Sequence, residues 1–337
     1  MELKRIFKYR NLWVGLAMLW IVFFHSGIIF SWEPLNQFRD FGYAGVDICL
    51  FASGIGCYYS LEKDPDILKF LKRRFLRLAP AYYCFIIPWM LWKSQGLTFP
   101  VNAVIGNLLG IQSFISWDYH FNWYISGLVF FYFALPYLKK ASDSFCRFWQ
   151  DILFTGFLVI AAVPFWGSGN SILILSRIPV LYAGVVCAKM AARGYVLKGK
   201  DYGILGAFMA AGIGALWIFY TYFPGLLWSQ GMDWYPFALI VPGFCVFASL
   251  LAEKMEKHRL LRRINQLVSA VGIYSFEVYL VHVFLYETFM YRVLTHFAQI
   301  HPNLLWVLSF PVILCGTYCL NRVVYYLTKT ITHTKKA

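Results

Sequence analysis

His25, Asp47, Glu277 and His282 are titratable side chains set inside runs of apolar residues. Ionisable groups in such runs are costly, and they face a cavity or a partner rather than lipid. An imidazole is suited to taking a proton near neutral pH. A carboxylate beside it can fix its tautomer and stabilise the imidazolium. His25, in IVFFHSG at 21–27, is therefore a candidate general base, with Asp47 as its orienting carboxylate. With the first two apolar runs read as 11–30 and 41–61, each residue lies about six positions inside the same end, roughly 9 Å deep at 1.5 Å per residue. Adjacent antiparallel spans would bring the two together. His282 lies roughly 12 Å deep by the same arithmetic. His120 and Arg177 fall near the outer rim. Each of the in-span groups also fits a plain polar contact between packed helices.

A second constellation is DILKFLKRRFLRLAP, residues 66–80. Leu68, Leu71, Phe75 and Leu78 recur at helical spacing. Lys69, Arg73 and Arg77 recur at i, i+4 and i+8, with Lys72 and Arg74 beside them. This predicts a short basic amphipathic helix. Arginine's planar fork binds phosphate oxygens bidentately, so the cluster suits a phosphorylated cosubstrate. It also suits an anchor on anionic lipid headgroups. The eight cysteines sit singly; Cys315 and Cys319 share a helix face, but no His or carboxylate completes a metal set, and no metal is expected. The chain has no G-x-x-x-x-G-K-[ST] loop, G-x-S-x-G elbow or H-E-x-x-H pair, which removes the signatures of an ATP-driven pump, an α/β-hydrolase and a zinc protease.

The elements that must hold these groups follow from composition. The 337 residues are 60% hydrophobic and 14% charged, too apolar for a soluble domain of this size. Apolar runs near 11–30, 41–61, 79–95, 120–138, 151–166, 171–190, 203–223, 235–252, 269–290 and 303–327 each approach the length of a membrane-crossing helix. Backbone groups in lipid must be satisfied within the segment, and the alternation of a barrel is absent. The expected fold is all-α: a polytopic membrane bundle of about ten helices. The first run has no small-residue cleavage site after it and reads as a retained span. With that order, 26 of the 30 Lys and Arg fall on one side, leaving Arg39, Lys93, Arg177 and Arg292 on the other. The positive-inside rule then makes both termini cytoplasmic. It also explains the net charge of +14 as an orientation signal, so no nucleic-acid partner is expected. Within the outer stretch 93–119, the apolar VNAVIGNLLGIQSF suits an interfacial or re-entrant helix better than a span. No appended soluble domain, internal repeat or linker is expected, so 1–337 reads as one domain.

Taken in order, several stretches carry a family resemblance. NLWVGLAMLWIVFFHSG (11–27) ends in a first-span histidine. GYAGVDICLFASGIGCYYSLEK (42–63) resembles a G-V-D-x-F-F-x-x-S-G segment. FLKRRFLRLAPAYY (70–83) is similar to R-R-x-x-R-[IL]-x-P, and SFEVYLVHVFL (275–285) to S-x-x-x-Y-L-x-H. HFNWYISGLVFFYFALP (120–136) resembles a W-[YF]-[IL] span. Together they resemble the integral-membrane acyltransferase type 3 family over the whole chain. That resemblance implies ten helices and transfer of an acyl group, often acetyl, to sugars of cell-surface glycans. It implies acyl-CoA, with acetyl-CoA the expected form, as cytoplasmic donor, its phosphates on Arg73, Arg74 and Arg77. His25 and Asp47 would be catalytic, and His120, Trp123 and His282 would line the substrate cavity. The acceptor would be a glycan or lipid-linked sugar, with membrane lipid and polysaccharide-assembly proteins as partners, in a plasma membrane of bacterial inner-membrane type. Two positions depart from the pattern. The basic residue expected eleven positions before His25 is Val14, with Arg10 the nearest substitute. Ser126-Gly127-Leu128 stands where a Glu is common. A transporter or flippase of a glycan or lipid-linked sugar would also use buried His and Asp, but matched broken helices are not evident. A scaffold without chemistry would leave titratable groups at matching depth unexplained.

Overall fold

A computed structural model of the chain describes residues 2–93, 100–116, 123–297 and 299–334. The long helices are α1 (Arg10–His25), α2 (Gly45–Lys63), α3 (Ile67–Lys93), α4 (Trp123–Ser144), α5 (Phe148–Ala161), α6 (Ile178–Ala192), α7 (Gly199–Tyr222), α8 (Phe237–Met255), α9 (Arg259–Ile273), α10 (Ser275–Leu285) and α11 (Pro302–Thr334). The described residues contain no β-strand beyond one isolated bridge, Glu2 to Val196. Eight helical stretches are long and apolar enough to cross a membrane. The pair α9–α10, bent by 73°, makes a ninth when taken as one span. α4 has 22 residues, enough to cross. Its tyrosines, Pro136 and the Lys139-Lys140 pair dilute its apolar content, so it falls outside those nine. With it, the ten expected spans all have helical counterparts.

Close backbone crossings fix the centre. A Cβ on Gly15 of α1 would lie 1.9 Å from the Val268 carbonyl oxygen of α9, and one on Gly272 would lie 1.9 Å from the Asn11 oxygen. A Cβ on Gly54 of α2 or Gly184 of α6 would meet the facing backbone at 2.3 and 2.2 Å. Only glycine permits such approach, which lets α1 pack directly on α9 and α2 directly on α6. α2 and α6 are the most enclosed helices, whereas α5 and α7 lie at the periphery.

One end of the bundle gathers basic loops. Arg5 bonds Glu253, and Lys8 bonds Glu256 at 3.0 Å. Lys139 bridges Glu62 at 2.8 Å and Asp143 at 2.6 Å. At the opposite end Asn303 exchanges hydrogen bonds with both the amide and the carbonyl of Ile29, at 3.0 and 2.6 Å. α11 starts there and runs back, so Glu2, the first described residue, and the far end of α11 lie toward the basic end. The stretch expected to be interfacial or re-entrant is a hairpin. Val101–Leu108 and Gln112–Ile115 are short helices joined across Gly110, at φ 70°. The hydroxyls of Tyr82 and Tyr83, midway along α3, donate to the Asn107 and Leu108 carbonyls at 2.6 and 3.0 Å. The hairpin therefore dips into the bundle and returns on the side it entered.

Candidate active site

α1 ends at His25, because Ser26 turns extended with ψ 143°. The imidazole thus sits on the last turn of the helix, not a turn and a half inside a longer span. Its Nδ1 lies 2.9 Å from the Ile21 carbonyl. A carbonyl only accepts, so Nδ1 carries the hydrogen and Nε2 keeps its lone pair. His282 of α10 repeats this, with Nδ1 3.1 Å from the Val278 carbonyl. The two rings lie side by side with centroids 5.2 Å apart, their planes tilted by 54°. His25 is accessible, His282 is fully buried, and the His282 Nε2 has no hydrogen-bond partner. Two neutral imidazoles in this state cannot bond each other through Nε2, since both are acceptors. A hydroxyl between them can donate to either. Gly27 completes the local fit: a Cβ there would fall 2.6 Å from Trp306 Nε1, so glycine lets α11 close over the end of α1.

Below the imidazoles, a cavity of about 230 Å³ runs toward the basic end. Arg10, Arg74 and Arg77 line it, and no carboxylate is among its described lining residues. Arg10 donates from Nε to the Ala52 carbonyl at 3.0 Å, and the missing side chain of Gly56 leaves room for its guanidinium. Arg74 lies over the rings of Phe70 and Tyr132, 5.0 and 5.8 Å from their centroids. Its Nε has no hydrogen-bond partner. Three guanidiniums with no carboxylate among the described lining residues suit a polyanion. The upper end is walled by Met18, Tyr124 and Tyr279. Tyr279 packs on Tyr124 at 4.8 Å and on His282 at 5.4 Å, joining cavity and imidazole pair. From Arg10 to His25 the path is about 22 Å along α1.

Of the sequence candidates, the structure brings Arg74 and Arg77 into one cavity and His25 and His282 into one pair. Arg73 points elsewhere and bonds Asp64 at 2.6 Å. That hydrogen bond holds the Asp64 carboxyl below its ordinary range, so the pair persists at neutral pH. Asp47 is not placed beside His25. Its partner is Arg177, Nε to Oδ1 3.6 Å, and both side chains are buried to 1% exposure or less. The mismatch arises because α2 begins only at Gly45, so Asp47 occupies its first turn and faces α6. Trp123 is a wall of the same box: its ring and that of Trp234 each lie 4.8 Å from the Arg177 guanidinium. Trp123 is not among the residues lining the arginine cavity. His120 lies outside the described residues. Glu277, on the first turn of α10, is not among the cavity residues. Arg10 escaped assignment as a site residue, although its position one turn before Val14 was the available signal. Val14 lines the same cavity.

No curated protein and no solved structure matches this chain at a significant level. A family model described as an acyltransferase domain matches residues 11–322, which takes in α1 from Asn11 onward, the arginine helix, both imidazoles and most of α11. The chain is a multi-pass membrane acyltransferase and belongs to the acyltransferase type 3 family.

Proposed function

We propose that the protein moves an acyl group, acetyl in the simplest case, from cytoplasmic acyl-CoA to a sugar hydroxyl of a cell-surface or exported glycan. The observation that carries this reading is the acid-free cavity of Arg10, Arg74 and Arg77 leading to two imidazoles with free Nε2 lone pairs. The three guanidiniums receive the phosphates of the donor. The end at Met18 and Tyr279 takes its thin arm and delivers the thioester to His25. His25 Nε2 accepts the proton of the sugar hydroxyl as the oxygen attacks the thioester carbon. The C–S bond then breaks, and the thiolate leaves with the proton from the imidazolium. The helix carbonyl of Ile21, rather than Asp47, fixes the tautomer of the base. The negative end of the α1 dipole lies beside the positive charge that develops on the ring.

Both termini and the arginine cavity are assigned to the cytoplasm by the positive-inside pattern, which supports a plasma membrane of the bacterial inner-membrane type. An inner donor and an outer acceptor then meet without either crossing whole. A glycan or lipid-linked sugar on the outer side, delivered by polysaccharide-assembly proteins, fits this arrangement.

The test is donor kinetics. Arg10→Gln and Arg74→Gln are expected to raise the KM for acetyl-CoA, each by the ~1.5–3 kcal/mol of a charge-assisted contact. Arg73→Gln is expected to leave KM unchanged, because that side chain is held by Asp64. Equal effects of all three variants, or none, would remove the donor assignment.

A further inference from the structure

A second cavity, of about 310 Å³, lies against the basic one. It is bounded by α3, the hairpin tip at Leu108–Gly110 and α4. Leu78, Leu128, Tyr132 and Phe276, together with Arg74, line both cavities and so form the wall between them. Phe75, Leu109 and Phe133 at its rim are 59%, 61% and 58% exposed, so it opens sideways, toward the hydrocarbon of the membrane. Water would find few polar partners there. An empty cavity would deprive the shared wall of contacts on one side.

Charge selects the occupant. Lys72 stands exposed at the basic end of the cavity, and no acid is among the described lining residues. Its neighbours Lys69 and Arg73 are engaged by Asp66 and Asp64. Lys72 is not so engaged. A lipid entering here brings a hydrocarbon chain to the apolar lining and a phosphate to the ammonium.

We propose that this cavity binds one fatty-acyl chain of an anionic phospholipid from the leaflet at the basic end, with its phosphate on Lys72, and that the chain braces the wall shared with the arginine cavity. Leu78, Leu128 and Tyr132 then have packing partners on both sides. Tyr132 in turn supports the guanidinium of Arg74. Lipid binding and binding of a polyanion in the neighbouring cavity therefore favour each other.

Two readouts test this. The first is lipid retained by the purified protein, measured by native mass spectrometry after exposure to equal phosphatidylglycerol and phosphatidylcholine. The wild type is expected to keep phosphatidylglycerol in several-fold preference. Ala79→Phe and Val129→Phe, each adding a ring from a position lining only this cavity, are expected to lose it. Lys72→Gln is expected to keep a lipid but lose the preference. The second readout is coenzyme A affinity in nanodiscs with and without phosphatidylglycerol. The wild type is expected to bind several-fold more tightly with the anionic lipid, and Ala79→Phe to be indifferent to it. Equal retention by the wild type and both Phe variants, or no headgroup preference in the wild type, would overturn the lipid site. The affinity arm rests on the donor reading. Failure of coenzyme A to bind, with selective lipid retention intact, would remove that reading and leave the lipid site standing. Preserved lipid dependence of affinity in both Phe variants would overturn the bracing.

Discussion

At the scale of single residues, the imidazole pair makes the sharpest demand. A general base contributes about 10²–10⁴-fold to rate, so His25→Ala should lower kcat by that order at unchanged abundance. His25→Gln should not restore it, because an amide cannot take the proton. His282→Phe keeps a ring packed against His25 and Tyr279 but removes both nitrogens. If the free Nε2 shares the acceptor's proton, kcat should fall; a rate near wild type would reduce His282 to packing. The readout is mild-base acetate release from purified surface glycan at matched protein level. The Asp47–Arg177 pair has a different signature. Asp47→Asn strips a buried cation of its partner, a loss of about 3–5 kcal/mol, which should appear as a lowered thermal midpoint with donor KM unchanged. The titratable groups themselves were legible from sequence, since an ionisable side chain in an apolar run stands out. Their partners were not. Asp47 and Arg177 are joined by tertiary packing that no local spacing encodes, and equal depth in two spans says nothing about which helix faces each side chain turn toward. Lys189 shows the same limit. It counted only as one of the 26 basic residues on one side, yet it is buried and bonds Asp151 at 2.5 Å, with Ser142 and Tyr182 also donating to that carboxylate at 2.9 and 2.7 Å.

At the scale of elements, the placement of α1 decides the site, because both Arg10 and His25 ride on it. The crossing with α9 is a backbone contact. Gly272→Ala must push α9 from Asn11 and should cost about 1–3 kcal/mol or more by overpacking. Gly156→Ala is the control: its Cβ meets nothing within 4 Å, and removing a helical glycine should stabilise by about 0.5–1 kcal/mol. Thermal unfolding in detergent separates the two, and equal midpoints would mean the α1–α9 crossing is looser than described. Helix identity and approximate extent were readable because run length and apolarity determine them directly. The end of α1 at His25 was not, since the apolar Ile28, Ile29 and Phe30 continue the hydropathy past the point where Ser26 and Gly27 break the helix. The bend between α9 and α10 was hidden too. Arg259, Arg262 and Arg263 make α9 amphipathic, while α10 is apolar, and the break falls at Tyr274 where the two patterns meet.

At the scale of the whole molecule, sidedness remains the broadest claim. The basic loops gather at one end of the bundle, and a cysteine scan on intact cells can assign that end to a compartment. Gln37→Cys lies exposed at the opposite end and should react with an impermeant thiol reagent; Lys140→Cys, exposed among the basic loops, should not. Reversal of this pattern would invert the protein and move the arginine cavity outside. Ser113 is unsuitable as an outer reporter, since the hairpin buries it to 4% exposure. Fold class was the most legible feature at this scale, because the bilayer allows few architectures. The lateral cavity was the least, because its walls come from α3, α4, α10 and the hairpin.

The hairpin at 101–116 also constrains the order in which the protein is made. Its tip is held by Tyr82 and Tyr83, which precede it, but its return limb is held by Ser126, whose Oγ accepts from the Ser113 amide at 3.3 Å, and by Asn170, whose Nδ2 donates to the Ser113 carbonyl at 2.8 Å. A growing chain that has released residue 116 but not α4 owns only half of that socket. Two short apolar helices with a turn between them cannot serve as a stable transmembrane stop. The segment must therefore wait at the membrane surface during synthesis and seat only after α4 has left the translocon. Both cavities share α4 as a wall, so the site cannot exist before that late event. A nascent chain arrested when residue 116 has cleared the ribosome but α4 has not should leave 101–116 open to protease, and one arrested after both α4 and Asn170 have emerged should protect it.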